Sequence, residues 1–421
     1  MLKRNLAANY VGTAFVAASQ VLVIPLYLRF LGEHDWGLLS SLLALAATLL
    51  ILEAGVSQAV ARGIAERGAG AASIDRRSFE SVERRYLALT LGGSALLAVF
   101  SARLGSLLLP QAAASATGFA LVAIAMAAAQ IVGSLYRGAL VGHGSQVRLN
   151  ALIVASTLVR HTLGLTLAAR SHGAISVASA LAVSFVLEAA ARRWLVARLL
   201  STAPVGDDRM SSQHRRSSSR GALILAAAGI AGALATQLDR LVLGASISAV
   251  DLGRYAIAAT LSLAMLQLIY PISNALMPHL NDFQSPGASR RLLTRSYRLL
   301  FAILLPLWAG AALLATEGLQ RWLPRVGSAD VASAVAPLFL IHLVGTTLNA
   351  LCVPLHLALL AGHLDRRILV ANLAGLCALL AALATLVPHH GAIAGSLAWA
   401  LGNAALLILY FAMYQSRPER R

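Results

Sequence analysis

The chain of 421 residues is 58% hydrophobic and only 12% charged, with a mean hydropathy of +0.74. A soluble domain carries about 25% charged residues, so the composition excludes one and points to a polytopic membrane protein. The formal net charge of +17 would suggest nucleic acid in a soluble chain, and the two cysteines, Cys352 and Cys377, lie in apolar runs with no disulfide framework and no CxxC metal pair.

Residues 1–5 begin like a secretory leader. The apolar run over 8–31 is longer than a signal h-region and has no cleavage site, so it reads as a first membrane span. Apolar runs of about 20 residues predict roughly twelve spans. They fall near 8–31, 37–61, 86–109, 117–140, 150–169, 175–200, 221–247, 254–279, 295–316, 332–361, 368–387 and 391–414. The expected fold is all-α, with two six-helix bundles at 1–200 and 221–421 and a Ser/Arg-rich cytoplasmic linker at 201–220.

With the N-terminus inside, most of the 34 lysines and arginines fall on one side of the membrane. That is the positive-inside pattern, so the basic charge sets topology and both termini face the cytoplasm. An internal duplication agrees with the two halves. Gly55-Val-Ser57-Gln-Ala stands against Pro271-Ile-Ser273-Asn-Ala, and Gly37 against Gly253. Gly142-His143 stands against Gly362-His363, and His172-Gly-Ala-Ile against His390-Gly-Ala-Ile. All four pairs lie 216 to 220 residues apart, in the same order. Six spans per half insert the same way, as in transporters built from parallel repeats.

Ionisable residues inside spans are the candidates for function, because burying them is costly. Glu53 and Asp239 are two such carboxylates. Either binds a coupling proton or cation, or, for Asp239, pairs permanently with an arginine. Arg160 sits near the middle of the fifth span and cannot shed its proton. It faces an aqueous cavity or an anionic substrate, or it pairs with Glu188 on the next span. Arg29 extends a face of the first span that also carries Asn9, Thr13, Gln20 and Tyr27. Arg240 and Arg254 lie toward outer ends, where snorkelling accounts for them unless a cavity reaches that far. Pro271 removes a backbone hydrogen bond inside the eighth span and should kink it. His342 and His356 read as satisfied interior residues. His389-His390 lacks further ligands at zinc spacing, so no metal site and no cofactor are expected.

Within 237–282, a Leu238-Asp239 pair precedes Gly244, a Leu252-Gly253-x-Tyr255 turn and a proline-bearing helix ending at Met277-Pro278. Together with Gly32, Gly37 and Glu53-Ala-Gly55, this resembles the polysaccharide flippases, the Wzx-like branch of the multidrug/oligosaccharidyl-lipid/polysaccharide exporter superfamily. The chain departs from that pattern with Trp36-Gly37 for Phe-Gly, and with Glu53 where the family has aspartate.

The resemblance implies a chamber lined by the first, second, seventh and eighth spans. It implies cavity arginines at Arg29, Arg160 and Arg240, ion-coupling carboxylates at Glu53 and Asp239, and a kink or hinge at Gly55 and Pro271. The expected function is a flippase moving a polyprenyl-pyrophosphate-linked oligosaccharide across a bacterial inner membrane by alternating access. Membrane lipids, a proton or sodium ion, a glycan polymerase and other polysaccharide-assembly proteins are its expected partners, and nucleic acid is not.

Two alternatives stay open. Cation-coupled drug efflux on the same fold would favour an acidic, aromatic-lined cavity. A polytopic glycosyltransferase or polymerase would place catalytic residues on a substantial outer loop. Lys3 is the only lysine, so there is no GxxxxGK[ST] phosphate loop, and neither HExxH nor GxSxG occurs. A secondary transporter, not an enzyme, is the expectation.

Overall fold

A computed structural model describes residues 2–53, 55–65, 76–171, 173–201, 219–267, 269, 286–323, 331–362 and 364–416. Ala54, His172, linker residues 202–218, Pro271, Ser273, Met277, Pro278 and His363 lie outside the described residues.

Every described element is helical. In chain order they are α1 (Leu2–Leu22), α2 (Ile24–Leu49), α3 (Val56–Ala65), α4 (Arg76–Val99), α5 (Ser101–Leu108) and α6 (Ala116–Gly142). Then follow α7 (Gln146–Ser171), α8 (Ala174–Ser201), α9 (Ser219–Ala235), α10 (Leu238–Ser246) and α11 (Ala249–Gln267). The remainder are α12 (Pro286–Leu313), α13 (Leu319–Trp322), α14 (Val331–Ala361), α15 (Asp365–His390) and α16 (Ala392–Gln415). In hydrocarbon the backbone must satisfy its own hydrogen bonds, which is why long apolar runs become helices. At 1.5 Å per residue, α7 with its 26 residues is about 39 Å long, enough to cross a core of roughly 30 Å.

Among the described residues, ten helices are long and apolar enough to span a membrane. They become eleven if the pair Phe79–Val99 and Ser101–Leu108, bent by 67°, is one span. The chain is thus a multi-pass membrane protein. The expected second span, 37–61, is interrupted between Leu49 and Val56, the expected seventh, 221–247, is interrupted at 236–237, and the expected first span differs most. Its helix α1 stops at Leu22, and α2 begins at Ile24 with Pro25 in its first turn. Proline lacks an N–H and its ring clashes with the preceding turn, so it starts a helix more readily than it continues one. Gly32, at φ 74° and ψ 175°, then breaks α2 again. The run over 8–31 is therefore two helical pieces. Asn9, Thr13 and Gln20 also leave α1 too polar to join the ten.

The chain divides into two compact units, Met1–Ser19 with Ser41–Ser217, and Gln20–Ser40 with Ser218–Arg421. In the first, α6 is the central helix, packed on α3, α4, α5 and α8, while α7 packs on α8. Small residues let these helices approach closely. A Cβ on Gly138 would meet the Ser57 backbone, and one on Gly142 would meet Ala61 and Ile64. Phe79, Leu135, Tyr136, Leu140 and Val196 form the apolar core there.

In the second unit, α14 and α16 are central, with α11 and α12 against α14 and α9 against α15. Gly345 abuts Trp399 and Ala400, and Gly375 abuts Gly402. Residues 20–40 are fastened here because Gly37 lies directly against the Ala249 backbone, and Gly253 against Glu33 and Trp36. Leu89, Val99, Leu305 and Leu313 point outward from their helices, as lipid-facing side chains do.

Candidate functional site

In the first unit the chain leaves α2 through a 3-10 turn at Leu50–Glu53, and Gly55 takes a left-handed φ of 76° before α3 starts. Only glycine adopts that conformation freely. The turn brings the Glu53 carboxylate back over the start of α3. There it accepts hydrogen bonds from the backbone N–H of Gly55 (3.3 Å) and of Ser57 (2.6 Å). Both are donors that a helix start leaves without partners, and the helix dipole favours an anion there. Glu53 also lines a cavity of about 230 Å³ with Ser57, Gln130, Arg137, Glu188 and Arg192.

Glu188 on α8 is the centre of a charge cluster. Its two oxygens accept from different guanidiniums, Arg160 on α7 and Arg192 one turn further along α8. Arg160 also donates to Ser184 Oγ (3.3 Å) and lies over the Phe185 ring at 3.8 Å, a cation–π contact. Arg192 donates to the Gly133 carbonyl at 3.3 Å, while its buried Nε has no acceptor among the described residues. Arg137, one turn beyond Gly133 on α6, is exposed and makes no hydrogen bond or ion pair among the described residues. Arg160 thus pairs with Glu188, and it does not itself line the cavity.

In the second unit Asp239 is buried, 2% exposed, at the start of α10. It accepts from the Tyr255 hydroxyl on α11 and from the Arg240 backbone N–H (2.7 Å). Among the described residues it forms no ion pair, so the permanent arginine partner is replaced by a phenol and an amide. Arg240 reaches Thr260 Oγ1 at 3.5 Å, and its Nε has no acceptor among the described residues.

Beside this group His342 on α14 sits edge-on to Tyr255 (5.9 Å) and stacked on Trp399 (5.3 Å). It is buried, and neither ring nitrogen is hydrogen-bonded among the described residues, whereas the sequence predicts a satisfied interior histidine. His356 does have a partner, the Tyr410 hydroxyl at 3.1 Å.

The face expected to extend from Asn9 to Arg29 is divided by the break at Val23. Asn9 exchanges amide hydrogen bonds with Gln146 and Asn150 of α7. Tyr27 is buried against Trp36, and Arg29 on α2 is exposed. Arg160 and Glu53 therefore belong to the first unit, and Arg29, Arg240 and Asp239 to the second. Sequence reasoning does not single out Arg192 and Arg137, because they sit with the topology-setting charges. The Glu188–Arg192 spacing of four residues is the available signal. Tyr255 stands in a recognised motif without its partner being evident. Arg254, expected to snorkel, instead bonds Glu33 at 2.5 Å.

The family model for polysaccharide biosynthesis protein matches residues 2–284. No curated protein matches the chain. Among solved structures, lipid II flippase MurJ in an inward closed conformation aligns with a TM-score of 0.73 at 11% identity, covering 98% of this chain and 88% of that one. An inward-facing multidrug resistance MATE family transporter of the MOP superfamily aligns with a TM-score of 0.63 at 15% identity, covering 96% and 94%. A MOP superfamily transporter from Pyrococcus furiosus, described by the reverse polarity of its binding pocket, gives 0.58 at 15% identity over 98% and 94%. The fold is that of these transporters, and the match over two thirds of its length places this chain in the polysaccharide biosynthesis protein family.

Proposed function

We propose that this protein is a flippase that carries a polyprenyl-pyrophosphate-linked oligosaccharide across a bacterial inner membrane for surface polysaccharide assembly. The observation that carries this reading is the arginine cluster around Glu188, set in an otherwise apolar membrane fold. Guanidiniums suit a pyrophosphate because they bind its oxygens in pairs and stay charged. Arg160 supplies charge through that cluster, and Arg29 and Arg240 are the further cationic residues proposed to meet the substrate. Two six-helix halves rock about the substrate, with both termini cytoplasmic and hinges at Gly55 and Pro271. Glu53 and Asp239 are the proposed coupling carboxylates, for a proton or sodium ion. A glycan polymerase and other assembly proteins are the proposed partners.

The test is flipping of a fluorescent polyprenyl-pyrophosphate oligosaccharide in proteoliposomes, read by an external quencher with and without a proton gradient. Wild-type flipping that falls at least tenfold in Arg160→Ala and loses its gradient response in Asp239→Asn is the expected result. No flipping by the wild type of any lipid-linked sugar would refute the reading.

One observation favours a second reading. Asp239, without an ion pair among the described residues, bonds Tyr255, and Tyr255 adjoins His342, which stacks on Trp399; an acidic group joined to aromatic rings is a setting that attracts organic cations. Efflux of small cations from the same proteoliposomes, without flipping, would select cation-coupled drug export instead.

A further inference from the structure

We infer that the cavity in the first unit is a subsite for the phosphate-bearing head group of a lipid, held by Arg137 and Arg192, with Glu188 as a resident counter-anion that the head group displaces. This deepens the flippase reading above and rests on it for the identity of the carrier.

Size sets the first limit. At about 230 Å³, the cavity is smaller than the ~300–1,000 Å³ of sites that enclose a whole drug-sized ligand. It fits a head group, and an attached oligosaccharide would extend beyond it.

Charge sets the second. Three guanidiniums, those of Arg137, Arg160 and Arg192, stand with two carboxylates, Glu53 and Glu188. The Glu53 oxygens are already engaged by the amides at the start of α3. Glu188 divides its two oxygens between Arg160 and Arg192. Among the described residues one positive charge therefore has no local counter-anion, and no arginine can release its proton to relieve the excess. Arg137 carries that charge into the cavity from α6.

The third observation is a vacant donor. Arg192 keeps a buried Nε–H that no acceptor among the described residues satisfies, in a molecule where buried donors are as a rule paired. A phosphate oxygen in the cavity would give it one. Phosphate oxygens also suit a guanidinium edge, which offers two parallel donors.

The exchange is balanced without any covalent step. As the head group enters, Arg192 passes from Glu188 to a phosphate oxygen while Arg160 keeps Glu188. Glu188 thus remains ion-paired throughout, which avoids the cost of stranding a buried carboxylate. Arg160 acts here as the residue that holds the displaced anion. Neutral polar groups of Ser57 and Gln130 complete the wall.

The test uses the full-length protein in nanodiscs, with farnesyl pyrophosphate, inorganic pyrophosphate and phosphatidylglycerol as probes. Farnesyl pyrophosphate should bind the wild type and lose at least tenfold in affinity in Arg137→Gln, a substitution that breaks no hydrogen bond or ion pair among the described residues. Glu188→Gln should tighten binding severalfold, because it removes the competing anion. A purely structural charge triad predicts the opposite sign in affinity, and weaker binding by Glu188→Gln would overturn the inference. If Glu188→Gln does not fold, Arg137→Gln decides alone, and unchanged affinity there refutes the subsite.

The probes identify the source of the phosphate. Competition by inorganic pyrophosphate shows that the head group suffices, and equal competition by phosphatidylglycerol assigns the subsite to phospholipid. The two readings fail separately. Flipping and binding that both survive Arg137→Gln remove the subsite and leave the flippase. Arg137-dependent binding in a protein that flips no lipid-linked sugar removes the flippase and leaves the subsite.

Discussion

Glu33 and Arg254, 221 residues apart in sequence, meet in a 2.5 Å hydrogen bond between Oε2 and Nε. Glu33 is buried, and Arg254 is 24% exposed with Asp251 a further 3.7 Å away. The bond ties the segment 20–40 to α11. Removing one partner of a fully buried pair costs ~3–5 kcal/mol, and the partial exposure of Arg254 reduces that. Arg254→Gln and Glu33→Gln should each destabilise by about 1–3 kcal/mol. The double substitution should cost clearly less than the sum, because neither charge is then stranded. Thermal unfolding of the purified protein in one detergent measures all three, and strict additivity would show that the pair contributes nothing.

The same junction depends on a missing side chain. A Cβ on Gly37 would overlap the Ala249 carbonyl, and backbone cannot swing aside as a flexible side chain can. Gly37→Ala should therefore lower stability by about 1–3 kcal/mol, the usual cost of overpacking. At Gly92, on α4, an added methyl would find no atom within 4 Å. Gly92→Ala should be neutral or stabilising by up to ~1 kcal/mol from helix propensity. Equal unfolding temperatures for the two variants would contradict the close approach of the two backbones.

Tyr255 and Asp239 predict a divergence between stability and transport. Tyr255→Phe leaves the buried carboxylate with the Arg240 amide alone, at a cost of about 1–3 kcal/mol for the lost bond. Asp239→Asn keeps an oxygen that still accepts from Tyr255, so it should be better tolerated. If Asp239 couples transport, the order reverses in proteoliposomes. Asp239→Asn should then lose the gradient response, while Tyr255→Phe keeps part of it. A gradient response that survives Asp239→Asn would take coupling away from this residue.

The spans were legible because each carries its evidence locally, in some twenty apolar residues between polar turns. The Arg160–Glu188 pair was legible too, since consecutive antiparallel spans bring residues at equal depth together. Other features needed information that no single segment holds. Pro25 and Gly32 lie within an apolar run, and hydropathy does not register that one starts a helix and the other breaks it. Glu33 and Arg254 belong to distant segments, so neither advertises the other. Arg137 and Arg192 matched the topological charge pattern so well that their place on a cavity wall was hidden. His342 looked like any interior histidine, because an absent hydrogen bond leaves no trace in sequence.

Glu53 and Gly55 form one device, and the two should fail differently. Glu53→Gln keeps an acceptor for the Ser57 amide and should cost little, whereas Glu53→Ala removes the cap and should cost about 0.5–2 kcal/mol. Gly55→Ala forces a side chain into a left-handed φ of 76°, a strain of roughly 1–2 kcal/mol. No atom lies within 4 Å of the position that methyl would take, so the penalty is conformational and not steric. Circular dichroism melts of the three variants should rank Glu53→Gln as mildest. If Gly55→Ala is as stable as the wild type, the positive φ is not required.

The cluster around Glu188 separates holding the fold together from moving a substrate. Arg160→Met removes one of two cations from a carboxylate that is 7% exposed. Arg192 still covers the other oxygen, so the loss should be about 1–3 kcal/mol, below that of a fully stranded charge. Glu188→Gln leaves two half-buried guanidiniums facing each other across a neutral amide and should destabilise at least as much. In the double variant the opposing defects cancel, and stability should recover most of the way to wild type. Flipping then discriminates. If the arginine serves the fold alone, the double variant flips lipid-linked sugar at near the wild-type rate once its stability returns. If its charge serves the substrate beyond its pairing with Glu188, the double variant stays at least tenfold slower despite a recovered unfolding temperature.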